Sequence, residues 1–66
     1  MDYVKGYLLV GDKVILEGDK IQFKLETTGE ILEGILYKAA KKECQIKVDE
    51  IIRVEEVENL ADVKKI

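Results

Sequence analysis

Apolar and polar positions alternate most cleanly from Lys20 to Glu26, where Ile21, Phe23 and Leu25 are separated by Gln22 and Lys24. Period two gives a strand with one dry face and one wet one. Thr27 to Glu30 supplies a turn, with Gly29 available for a positive φ, and a second strand follows from Ile31 to Lys38. A third alternating run, Cys44, Ile46 and Val48, completes a meander. The middle run is apolar on both sides, with Ile31, Ile35 and Tyr37 on one face and Leu32, Gly34 and Leu36 on the other. Such a strand is either central to a barrel or bent so that its halves serve different faces. Gly34 favours the bend, because a glycine inside a strand marks a sharp coil or a close backbone approach.

Upstream, Tyr7 to Val10 and Lys13 to Leu16 flank Gly11-Asp12, which suits a two-residue hairpin; one bent segment with a bulge at Gly11 is the alternative. The tetrad Gly11-Asp12-Lys13-Val14 recurs as Gly18-Asp19-Lys20-Ile21, the same turn chemistry placed before two strands with each lysine pointing out. Downstream, Ala39 to Glu43 reads as a loop and Asp49-Glu50 as a tight connection. Ile51 to Glu55 is the next strand, with Ile52 and Val54 on one face and Arg53 outward. Asn59 is placed to cap a short helical turn near Asn59–Lys64. The expectation is one all-β domain over residues 1–66: a small barrel or strongly bent sheet of five or six antiparallel strands, with one helical turn near the C-terminus. Its expected core is Val14, Leu16, Ile21, Phe23, Leu25, Leu32, Leu36, Cys44, Ile46, Val48, Ile52, Val54, Leu60 and Val63.

Composition narrows the chemistry. A chain of 66 residues buries only about 60% of its unfolded surface, so its stability rests on good packing or on a second subunit. One Cys and no His exclude an intramolecular disulfide and ordinary zinc sites, and no cofactor is implied. A net charge of −3 gives no general attraction to nucleic acid or membrane. No run of about 18 apolar residues spans a bilayer, and the lone Cys44 in an alternating strand reads as a small buried hydrophobe in a reducing, cytoplasmic setting.

Catalytic candidates are absent. The chain has no Ser and no His, and its adjacent carboxylates, Asp49 with Glu50 and Glu55 with Glu56, diverge where acid–base work needs convergence. The chain therefore reads as a non-enzymatic interaction module. Its candidate protein interface is the surplus of apolar residues, Val4, Tyr7, Leu9, Ile15, Ile31, Ile35, Ile51 and Val57, serving a protein partner or further copies of itself. The alternative is nucleic-acid contact through Lys38, Lys41 and Lys42 beside Tyr37, which combines phosphate-binding charge with a stacking ring. Lysines also protect exposed strand ends from pairing. The acidic run Glu55, Glu56, Glu58 and Asp62 is a solvated face or a dock for a basic partner.

From Ile21 to Leu36 the chain resembles the first motif of the Sm-like proteins: an alternating strand ending in Leu25, then Gly29, Gly34 and Leu36. Ile52-Arg53 with Val57 resembles the second. The resemblance covers about half of the chain and implies an SH3-like or Sm-like barrel. It departs from the family where Val54 replaces a glycine, where one extra residue separates Leu25 from Gly29, and where the N-terminal region reads as strand. The loop Ala39-Ala-Lys-Lys-Glu-Cys44 also lacks the Asp and Asn with which Sm proteins bind uridine. The resemblance therefore implies the barrel without the RNA site.

Overall fold

Alternation and turn chemistry produce strands almost throughout. A computed structural model describes residues 6–10 and 12–66; Tyr3, Val4 and Gly11 lie outside the described residues. The strands are β1 (Tyr7–Val10), β2 (Lys13–Leu16), β3 (Lys20–Leu25), β4 (Ile31–Ala39), β5 (Glu43–Val48), β6 (Ile51–Glu56) and β7 (Leu60–Lys65). Among the described residues the chain is thus all-β, with seven strands in place of the five or six expected. β1 and β2 form a two-stranded sheet, and the other five form an antiparallel sheet in the order β6-β5-β4-β3-β7.

The turns follow their residue types. Val10 pairs with Lys13, so the first hairpin is the two-residue one. Gly18 and Gly29 take φ values of 98° and 76°, which cost glycine nothing. Asp49 (φ 50°) and Glu50 (φ 67°) both sit in the left-handed region between Val48 and Ile51, the geometry of a type I′ hairpin turn.

Gly34 is where β4 bends. A Cβ on it would lie 2.5 Å from the Lys47 carbonyl oxygen, 2.8 Å from a Val48 methyl and 2.9 Å from an Ile46 methyl. Only glycine lets β5 come so close. Beyond the bend, a bulge between Leu36 and Lys38 leaves Tyr37 as the extra residue.

The helical turn expected near Asn59–Lys64 is displaced. A single 3-10 turn occupies Val57–Asn59, and Leu60–Lys65 is a strand paired with β3. Asn59 is no cap; its side-chain oxygen accepts from Thr27 N–H at 3.0 Å, its amide donates to Thr27 Oγ1 at 3.2 Å, and its carbonyl accepts from Glu26 N–H at 2.8 Å. Those bonds tie the last turn to the β3–β4 turn. Val63 then buries its side chain from a strand, and Leu60 packs half-buried beside the core.

The core is Leu8, Ile15, Ile21, Phe23, Leu25, Leu36, Cys44, Ile46 and Val63, with Leu32, Val48 and Leu60 half-buried against it. Four expected members are outside it. Val14 and Leu16 are exposed because β2 turns Ile15 inward, opposite Leu8 on β1. Ile52 and Val54 are exposed because Arg53 stands opposite Ile46 and Glu55 opposite Cys44, which puts the charged pair on the core side of β6. Arg53 therefore does not point outward. Its Nε donates to Glu55 Oε2 at 2.8 Å.

Candidate apolar docking face

The hairpin of β1 and β2 is apolar on both sides. Leu8 and Ile15 face the core at 2% and 0% exposure, while Tyr7, Leu9, Val14 and Leu16 face solvent at 55%, 62%, 45% and 42%. Tyr7 stands opposite Leu16 and Leu9 opposite Val14, so the outer side is two stacked apolar cross-strand pairs with no charge between them. An isolated two-stranded ribbon is at best marginally stable in water. Here Leu8 and Ile15 anchor it, Glu17 N–H donates to the Gly6 carbonyl at 3.2 Å, and the Glu17 carboxylate accepts from Ala39 N–H at 3.1 Å. The exposed pairs are therefore held on a fixed platform.

An open groove of about 530 Å³ runs along this hairpin, lined by Gly6, Tyr7, Leu8, Leu9, Ala39, Ala40, Lys41 and Val57. It adjoins a second, charged cleft of about 780 Å³ through Ala40, Lys41 and Val57. Val57 N–H donates to the Lys42 carbonyl at 2.9 Å, which fixes the 3-10 turn against the β4–β5 loop between the two depressions.

The sequence-derived interface is divided by the fold. Tyr7 and Leu9 share the hairpin face; Ile31, Ile35 and Ile51 are exposed on the five-stranded sheet at 65%, 44% and 67%. Val57 is half-buried against the core. Ile15 is a correction: it is fully buried, because one of the two apolar sets of β2 had to face Leu8 and the register chose Ile15. Val14 and Leu16 belong to the exposed face and were missed, since an unbroken Val-Ile-Leu run does not say which side is in.

The lysines do not make a continuous basic surface. Lys41 and Lys42 line the charged cleft together with Glu43, Glu56 and Glu58, so carboxylates offset them there. Lys38 follows the bulge at Tyr37, pairs in register with Gln45, and borders a separate recess of about 160 Å³ with Cys44 and Val54. Tyr37 is 53% exposed. Cys44 is free and buried, and its thiol is pushed up to about 11 by burial first and then by Glu55 and Glu43. It stays protonated at neutral pH and is a packing group.

Among the described residues no helix is long and apolar enough to cross a membrane. Comparison of the chain with protein-family models, with curated proteins and with solved structures found no match.

Proposed function

We propose that this chain is a non-enzymatic protein-binding module of SH3-like barrel type, acting in the cytoplasm, that holds an apolar segment of a partner against the outer face of its first hairpin. The observation that carries the reading is the pair of exposed cross-strand contacts, Tyr7 with Leu16 and Leu9 with Val14, on a ribbon whose other side is anchored in the core. Exposed apolar surface costs about 25 cal/mol per Å², so a rigid uncharged patch of this kind gains by being covered. The barrel part of the reading is supported by the strand order, in which the 3-10 turn returns the last strand to β3 at the far side of the meander. The reducing compartment is supported by a single buried, protonated thiol.

The test is selection of displayed random peptides on the chain and on its Leu9→Lys variant. Peptides rich in aromatic and aliphatic residues should bind the first and not the second, with little change as salt rises from about 0.05 to 0.5 M. Retention of single-stranded nucleic acid, weakening steeply with salt and abolished by Lys38→Glu, Lys41→Glu and Lys42→Glu together, would overturn the reading in favour of a nucleic-acid-binding barrel.

A further inference from the structure

The five-stranded sheet has two unpaired edges among the described residues, and they are built differently. β7 is guarded: a register shift interrupts its pairing with β3, Asp62 sits at φ 51°, and Lys64 and Lys65 are exposed. Bulges and lysines are the usual means of keeping an edge from pairing. β6 pairs with β5 in unbroken register over all six residues and presents Ile51, Ile52 and Val54 to solvent.

The backbone of β6 fixes which residues face the open edge. In a type I′ turn the Val48 carbonyl accepts from Ile51 N–H, and antiparallel pairs alternate thereafter. Ile51, Arg53 and Glu55 thus spend their backbone groups on β5. Ile52, Val54 and Glu56 aim theirs outward.

From these facts we infer that β6 pairs antiparallel with β6 of a second copy of this chain, on a two-fold axis through Val54. Charge selects this register over its two immediate neighbours. An axis at Arg53 sets two guanidinium groups directly opposite each other, and an axis at Glu55 does the same with two carboxylates; like charges so placed are destabilising. An axis at Val54 sets Arg53 opposite Glu55 of the second copy, twice. Those are the pairs whose backbone bonds go to β5, and in such pairs the facing side chains approach most closely. Arg53 and Glu55 already lie on one side of the strand, 2.8 Å apart, so the dimer closes an alternating four-charge cluster. On the other side Val54 meets Val54 of the second copy, with each Ile52 diagonal to it. This deepens the protein-binding reading by naming one partner, but it uses a different surface and stands if the hairpin face proves idle. About this axis only residues 52–56 of each six-residue strand face one another, a small interface, so the dimer is weak and concentration-dependent.

Light scattering from about 10 µM to 1 mM should show the mass rising from 7.5 kDa towards twice that value. Arg53→Glu alone and Glu55→Arg alone should each weaken dimerisation at least about tenfold, while an equimolar mixture of the two restores it, because opposite charges face again only in the mixed pair. In a Cys44→Ala background, Val54→Cys should be linked into dimers by a short bis-maleimide and Ile31→Cys should not, a readout that needs no charged variant to fold. The inference is overturned by a wild-type chain monomeric at about 1 mM, by a mixture no more dimeric than its components, or by equal linking at both cysteines. Loss of the dimer in Leu9→Lys with retention in the charge variants also overturns it and moves self-association to the hairpin.

Discussion

Replacing Gly34 by alanine tests how closely the sheet is coiled. The added Cβ would stand 2.5 Å from the Lys47 carbonyl oxygen, whereas side-chain Cβ atoms keep at least 3.0 Å from such neighbours. Two of the three obstacles are methyl groups of Val48 and Ile46, but the nearest is backbone, so β5 itself must move. Ile46 is fully buried, and any shift of β5 disturbs its packing in the core. Overpacking of this kind costs about 1–3 kcal/mol, and a backbone obstacle puts the cost near the upper end. Against it stands a gain of about 0.4–1 kcal/mol from the lower entropy of an unfolded chain with alanine. The net expectation is a loss of about 2 kcal/mol, from a total of about 3–10 kcal/mol for a chain of this length. Tm should fall by about 8–16 °C. Urea denaturation followed by circular dichroism and tyrosine emission measures it, with an unchanged slope showing that the unfolded state is the same. Gly29→Ala is the control: nothing lies within 4 Å of its Cβ, and its cost comes only from φ 76°, about 1–2 kcal/mol. A Gly34→Ala chain as stable as the wild type would refute the close approach of β5.

Three further outcomes are expected. Cys44 should not react with an aromatic disulfide reagent in the folded chain at pH 8, and its folded pKa, raised from 9.0 to about 11, means that stability is intact below pH 9 and falls as pH rises towards 11. That fall is on the order of 2–3 kcal/mol and should be missing from Cys44→Ala when melting is compared across this range. Glu50→Gly should stabilise the chain by about 1 kcal/mol in the same urea assay, because glycine adopts the φ of 67° that the second position of the β5–β6 turn imposes. Asn59→Ala should cost about 1–2 kcal/mol and speed amide exchange at Thr27, whose N–H loses its acceptor.

What the sequence by itself determined is the set of positions where only one reading satisfies the chemistry. Ile21, Phe23 and Leu25 alternate with polar residues, so their face was decided before any neighbour was known, and all three are buried. Gly18 and Gly29 marked turns because few other residues tolerate those φ values, and Asp49-Glu50 marked one as a polar pair between two apolar runs. Gly34 marked the bend for want of a side chain. Tertiary structure decided the rest where both faces of a strand are apolar. In β2 either Ile15 or the pair Val14 and Leu16 could face inward, and pairing with Leu8 chose Ile15, which created the exposed face on the hairpin. In β6 the apolar set of Ile52 and Val54 lost the inner side to Arg53 and Glu55, because the register with β5 puts those two opposite Ile46 and Cys44. The C-terminal segment became a strand instead of a helical turn, since β3 offered it a free edge and Asn59 found its partners on Thr27. Period two names a strand and its two faces; which face is buried depends on what pairs beside it, and that is a contact between residues far apart in the chain.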